Sequence, residues 1–411
     1  MGLGLRSIAI DNASRAFIER MSRVLERDGS CSQLEEYSQN LYPRHDPRTP
    51  CPSYALLRRI ASPSIRNMSI SIAGMWATTT DQLNWTDFLS LPTISRYSLE
   101  FESGLHGMYS SDFKAEEPLV ESTVVHLKLH RVPNRLILAF DFPRVKSFKY
   151  ISANEGRDPA IPLIPLLGRF ALRKLEELTL DGCNSFQHSP LSNVSFDSMI
   201  SLTLNKSSTL ASALFDSISS VQLPFPVLTH LNLDRTRLNP QHLRLVGSDN
   251  APHLTSLHLA GTTFTSFTPD DFPIFASLET LDLSKTSWPT NQLVEDLCTK
   301  TPAIIRLSLM GCGRSETALT GFPIVNLVKS RRLIPSPPIA PAPPSWICNT
   351  SSFLSPAPPP APTAPSTKFE TAMQELNLKS LRGLETGVVD WLRANTRKGT
   401  VSFQFYDRET Q

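Results

Sequence analysis

The sequence predicts an α/β solenoid, a curved horseshoe with parallel strands on its concave face and helices on its convex face. Three observations lead there. A phrase with large apolar residues at its first, fourth and sixth positions recurs six times, starting at Leu175, Met199, Leu228, Leu254, Leu278 and Ile304, in steps of 24, 29, 26, 24 and 26 residues. Self-similarity at this period marks a stack of small units that cannot bury their apolar faces alone. Within a phrase the last two apolar positions, such as Leu231 and Leu233, are two apart and leave the same face of a strand. Between phrases the apolar spacing turns helical.

Taken in order along the chain, residues 1–60 are expected to be an N-terminal helical cap region. Phe17, Ile18, Met21, Val24 and Leu25 fall at helical spacing between Asn12 and Arg27, and Asp28-Gly29 ends the run. Such a helix would cover the exposed apolar end of a terminal repeat. A second, more polar helix is expected from Ser32 to Leu41, and a loop rich in Pro and charge from Tyr42 to Pro52.

Residues 61–332 are expected to form the solenoid proper. Four looser copies of the phrase precede the regular six: Ile65/Met68/Ile70, Ile94/Tyr97/Leu99, Val124/Leu127/Leu129 and Val145/Phe148/Tyr150. Three residues beyond each regular phrase stands a small side chain: Cys183, Ser207, Thr236, Thr262, Thr286 or Cys312. A hydroxyl or thiol there can bond the backbone where the chain turns out of the strand. Leu293, Val294 and Leu297 give one helical stripe after Trp288-Pro289-Thr290-Asn291, stopped by Thr301-Pro302. Leu243 and Val246 repeat that logic over Pro240–Val246.

Residues 333–367 are expected to be a disordered Pro-rich insertion, with twelve of the chain's 34 prolines and no charged residue. Its PSPP and PAPP runs would suit an SH3- or WW-type domain, but no flanking Arg arrangement sharpens that reading. Residues 368–411 are expected to close the solenoid with two more repeats, starting at Met373 and Thr400, around a helix with Val388, Val389 and Leu392 apolar.

Composition narrows the function classes. Forty basic against 38 acidic residues give a net charge of +2, no footprint for nucleic acid. No run of 18 apolar residues exists to span a membrane, and MGLGLRSIAI is a poor signal peptide. Arg6 occupies the place where a myristoylation signal wants Ser or Thr. Six scattered cysteines suggest reduced thiols and an intracellular home, cytoplasmic or nuclear. No metal-ligand spacing, phosphate loop or nucleophile elbow is present, so no cofactor and no enzymatic activity are expected. The cluster His126, His130 and Arg131, with Lys128 alternating on the same strand, reads as polar residues on an exposed sheet face, or as a local basic spot for an acidic partner.

The runs LETLDLSKT and NQLVEDLCTKTPAIIRLSLMGC resemble leucine-rich repeats of the ribonuclease-inhibitor and cysteine-containing types, a likeness that covers Leu175 to Cys312. The cysteine-containing type is common in the substrate-recognition halves of F-box proteins. The resemblance therefore implies a substrate receptor of an SCF-type ubiquitin ligase, working with a Skp1-type adaptor. CPSYALLRRIAS, from Cys51 to Ser62, is similar to the opening of an F-box only in its Pro followed by Leu-Leu-Arg, and its spacing departs from that pattern. Ran-type GTPase-activating proteins resemble the chain in repeat length but usually carry a long acidic tail, which VSFQFYDRETQ lacks.

By strand parity the concave face should present Glu177, Asp181, His230, Asn232, Asp234, His258, Asp282 and Arg306. The upstream end of that face is basic, at Lys128 and Lys149. The expectation is a monomeric, non-enzymatic scaffold that recognises a protein partner through charge pattern.

Overall fold

The computed structural model describes residues 6–10, 33–41, 64–72, 91–101, 120–131, 140–152, 170–183, 196–218, 225–312, 319–331, 373–381, 384–396 and 400–402, with a few single positions between them. Eighteen strands, numbered in chain order, are described. Fourteen form one wholly parallel sheet: β1 (Ser7–Ile10), β2 (Glu36–Leu41), β3 (Asn67–Ile72), β4 (Arg96–Phe101), β6 (His126–His130), β8 (Ser147–Ile151), β9 (Glu177–Asp181), β10 (Ser201–Asn205), β11 (His230–Asn232), β13 (Ser256–His258), β15 (Thr280–Asp282), β16 (Arg306–Ser308), β17 (Glu375–Asn377) and β18 (Val401–Ser402). Each strand between β1 and β18 pairs with the copy before and the copy after it. Beside the sheet run two short pairs, β5 (Val120–Glu121) with β7 (Phe140–Asp141) and β12 (Arg237–Leu238) with β14 (Thr263–Phe264).

The helices described in full are α1 (Ser208–Ile218), α2 (Pro240–Arg244), α3 (Asn291–Lys300), α4 (Gly321–Ser330) and α5 (Thr386–Asn395). Helix α3 starts where the sequence places it, because the Thr290 hydroxyl accepts the Leu293 N–H at 3.2 Å. Asn239 does the same for α2, accepting from Gln241 at 3.0 Å ahead of Pro240 at the first turn. Packed helices stand about 8–10 Å apart and strands about 4.8 Å, so the helical side is the longer arc. This is an α/β leucine-rich repeat solenoid with its strands on the concave side.

The core lies between the two layers. Leu178, Leu202, Leu231, Leu257, Leu281, Leu307 and Leu376 are register partners from β9 to β17, each at most 1% exposed. Each contributes about 1.5–3 kcal/mol through burial. Upstream the same column continues through Phe148, Leu127, Tyr97, Met68, Tyr37 and Ile8. The four looser copies are thus repeats of the same sheet.

Each repeat also has punctuation at both ends. Three residues before the phrase stands Phe142, Phe196, Phe225, Ala251, Phe275 or Thr301, whose carbonyl accepts the N–H of the phrase's first residue. Phe196 and Phe225 stack with centroids 5.8 Å apart, so these turns form their own buried column. Two residues after the phrase the backbone turns left-handed, at Arg131, Gly182, Lys206, Arg235, Gly261, Lys285, Gly311 and Ser380. Glycine takes that conformation freely and the other residues pay strain there.

Two expectations need correction. Residues 32–41 do not form a polar helix: Glu36–Leu41 is strand β2, paired with β1 on one side and β3 on the other. The described sheet therefore extends upstream to Ser7, well before the start expected near Ile65. The physical reason is that Leu34 and Tyr37 fill the core columns, and Gln39 stands where the last leucine of the phrase would be. Leu5-x-x-Ile8-x-Ile10 carries the phrase intact. Most of the helix expected over residues 12–27, the segment resembling an F-box opening and the Pro-rich run lie outside the described residues. That Pro-rich run does not break the sheet, because Arg306, Leu307 and Ser308 pair in register with Glu375, Leu376 and Asn377.

Candidate functional site

The concave face is the outward half of the strand alternation. One column runs Ala9, Ser38, Ser69, Ser98, Lys128, Lys149, Thr179, Thr203, Asn232, His258, Asp282, Ser308, Asn377, Ser402. Its character changes along the sheet, from small, to basic, to neutral, to acidic and amide-bearing.

All eight residues expected on this face lie on the solvent side of the leucine columns. Glu177, His230 and Arg306 are exposed, and the other five are half-buried. The Ser147 hydroxyl lies 2.7 Å from Glu177 Oε2 and donates to it. His230 Nδ1 is 2.6 Å from the Thr229 hydroxyl, and Arg306 Nη2 donates to Gln374 Oε1 at 3.1 Å.

Four of the eight are tied to the strand ends. Asn232 Oδ1 accepts the Asp234 N–H at 2.9 Å, and Asp282 Oδ1 accepts the Ser284 N–H at 2.9 Å. Asn377 repeats the motif with the Lys379 N–H at 3.2 Å. These are side chains bonding backbone two residues on, the local pattern that ends a strand and starts a turn. Asp234 reaches across instead, accepting the Ala260 N–H of the next repeat at 2.7 Å. Asp181 stands beside the buried Cys183. These groups hold the turns while presenting their remaining lone pairs outward.

Asp234, His258 and Asp282 form the strongest electrostatic cluster among the described concave residues. His258 Nε2 lies 3.1 Å from the Ser256 hydroxyl, and its Nδ1 lies 3.9 Å from Asp282 Oδ2. The facing Asp282 raises the His258 pKa above its ordinary value, burial opposes the rise, and Asp234 adds to it. Burial by itself would raise the Asp282 carboxyl, but contacts from His258 and Ser284 outweigh it and hold that pKa below the usual value. Asp234 goes the other way: burial lifts its pKa, with only partial relief from the Ala260 N–H. A Ser, a His and an Asp thus stand in a row, and the acidic neighbours make the ring more basic than an ordinary histidine. The row presents charged and hydrogen-bonding groups along the concave face.

Behind the face, the small residues after each phrase do what their chemistry predicts. Ser207 donates to Leu180 O and accepts the Cys183 N–H at 3.0 Å. Thr262 donates to Leu233 O at 2.8 Å, and Cys312 to Leu283 O at 2.9 Å. Burial first, then the Asp181 charge, pushes the Cys183 thiol up to about 12, and burial raises Cys312 too. These thiols are structural fillers with little thiolate character. Among the described residues no group of three or more His, Cys, Asp or Glu could hold a metal ion. No helix of the described residues is long and apolar enough to cross a membrane.

Upstream, the sequence reading missed a groove of about 490 Å³ on the same face, running from β1 to β8. It exists because Ala9, Ser38, Ser69 and Ser98 line up as small side chains across four strands. A helix over residues 32–41 hides that alignment, because it removes β2 from the sheet. The signal was the phrase at Leu5.

No family model matches the chain, and no curated protein matches it. Among solved structures, the chain is similar to one titled as the complex of Rad7 and Elc1 in yeast, with 15% identity and a TM-score of 0.36, covering 75% of this chain and 86% of that one. A protein of Bacteroides fragilis is similar at 13% identity and a TM-score of 0.29, covering 75% of each chain.

Proposed function

We propose that the chain is a non-enzymatic interaction scaffold, acting inside the cell in cytoplasm or nucleus, that binds a protein partner along the concave face. The observation that carries this reading is the column of small and polar side chains over a sheet whose other side is sealed by large apolar residues. A parallel sheet of this extent has room for a standard interface of roughly 1,600 Å². Charge pattern gives it selectivity, since the face changes from basic at Lys128 and Lys149 to acidic at Asp234 and Asp282. The finer reading is the substrate receptor of an SCF-type ubiquitin ligase, with the concave face holding the substrate. Its support is the likeness of the repeats to the cysteine-containing type. The stretch most like an F-box lies between β2 and β3 in the chain, inside the array, and lends nothing to that reading.

Affinity purification of the full chain from its native cells tests both levels. A specific partner should be captured by the wild type and by Asp390→Lys on α5. It should be lost when Asn232, His258 and Asp282 are all changed to Lys. Equal capture by the triple variant would end the concave-face reading. Absence of a Skp1-type adaptor from a clean capture would end the ligase reading alone.

A further inference from the structure

The N-terminal half of the concave face holds positive charge that the protein itself does not use. Lys128 and Lys149 are register partners on β6 and β8, so their backbones lie about 4.8 Å apart and their side chains leave the same face. Like charges opposed across strands are destabilising. Arg96 is on the neighbouring strand β4, paired with His126. All four side chains are exposed and line the groove. Lys146, just before β8, is paired with Glu176 at 2.6 Å, and His130 with Glu100 at 2.7 Å. No described carboxylate or hydrogen-bond acceptor engages the side chains of Lys128, Lys149 or Arg96.

From this cluster the groove runs over Ser98, Ser69 and Ser38 toward β1, and near that end Glu36 of β2 accepts from Asn67 of β3 at 2.9 Å. It crosses six strands, which is about 24 Å, the length of roughly seven residues of extended chain.

We propose that this groove binds an extended peptide segment of a partner protein, with two carboxylate side chains over Lys128 and Lys149 and small residues over the serine floor. This rests on the reading of the concave face as the interaction surface. Charge complementarity fixes both the occupant and its direction: the acidic end lies at β6–β8, and the end near Glu36 is neutral or basic. Two separate ammonium groups suit two separate carboxylates. A single phosphate favours the planar fork of arginine, and here Arg96 is set back by a strand. A nucleic-acid backbone would meet Glu36, Glu100 and Glu177 around the patch, so its continuous charge is opposed on the rim.

The test uses the full chain and a fluorescein-labelled seven-residue peptide of Gly and Ser ending in two Glu, followed by fluorescence anisotropy. Saturable binding is expected, weakening with ionic strength. It should weaken by about tenfold or more in the Lys128→Glu, Lys149→Glu double variant, whose folding is checked by circular dichroism. Asp390→Asn, exposed on α5 away from the concave face, should leave the affinity unchanged. Binding equal in the double variant, or equal for the Gln-Gln peptide, would overturn the proposal. So would a phosphoserine peptide or a short DNA oligonucleotide binding about tenfold tighter than the Glu peptide. If the peptide fails while the triple lysine variant still loses its captured partner, only this inference falls and the concave-face reading stands.

Discussion

His258 faces a carboxylate on the next strand, Asp282 Oδ2 at 3.9 Å from its Nδ1, with Asp234 near enough to reinforce the attraction. Its pKa is raised in the folded chain, so the proton is held more tightly folded than unfolded. The stabilisation is therefore fully present below the ordinary histidine value of about 6.5 and is lost as pH rises through the higher folded value. The imidazole is 38% exposed, which screens the pair to roughly 0.2–1 kcal/mol. Urea unfolding at pH 6 and pH 8 should show the wild type losing that much relative to His258→Gln as pH rises. The opposite slope would mean that the ring is neutral when folded. At this scale the sequence was readable in part. Thr262 and Cys312 were legible as turn fillers, because a short hydroxyl or thiol after a strand has few other uses. The backbone duties of Asn232 and Asp282 were not, since parity tells which face a side chain leaves by and not where the strand ends.

At the scale of elements, helix α3 is secured at both ends. Thr290 caps its first turn, and the Arg331 guanidinium, coming from the end of α4, donates to the carbonyls of Leu297 at 3.1 Å and Thr301 at 2.7 Å. It also reaches Cys298 O and Pro302 O. Leu297 O and Thr301 O also accept the N–H groups of Thr301 and Ile304, so the guanidinium adds to the bonding at this helix end, and its positive charge suits the negative end of the dipole. Arg331→Ala should lower unfolding stability by about 1–3 kcal/mol, and Arg331→Lys should recover only part of that. A change below about 0.5 kcal/mol would show that water replaces the guanidinium. The sequence showed α3 plainly through its apolar stripe and its stop at Pro302. It gave no sign that Arg331 finishes the helix, because that contact joins two repeats. Strand β2 was hidden for a related reason: Gln39 breaks the phrase, and Tyr37 and Leu34 are accommodated only because β1 and β3 already flank them.

At the scale of the molecule, the sheet passes over the 333–367 run without a gap. Strand β16 pairs directly with β17, and α4 packs on α5 so closely that a Cβ on Gly321 would sit 2.4 Å from Val388. Joining Arg332 to Lys368 would leave nine residues between Ser330 and Glu375, while α3 reaches β16 with five. The excised chain should therefore fold, with stability unchanged or raised by about 1 kcal/mol through the shorter closure. A loss beyond about 2 kcal/mol in urea unfolding would show that the removed segment packs on the solenoid. The period of the leucines by itself determined the architecture, the face each strand buries and the continuation of the array beyond the insertion, because stacking is the only way such strands can hide their apolar side. What only the tertiary structure decided was that the described sheet reaches upstream to Ser7 and which outward residues meet. The serine-floored groove, the unpaired Lys128 and Lys149, and the Asp234–His258–Asp282 row are assembled from residues about 20–30 positions apart, brought side by side by sheet register.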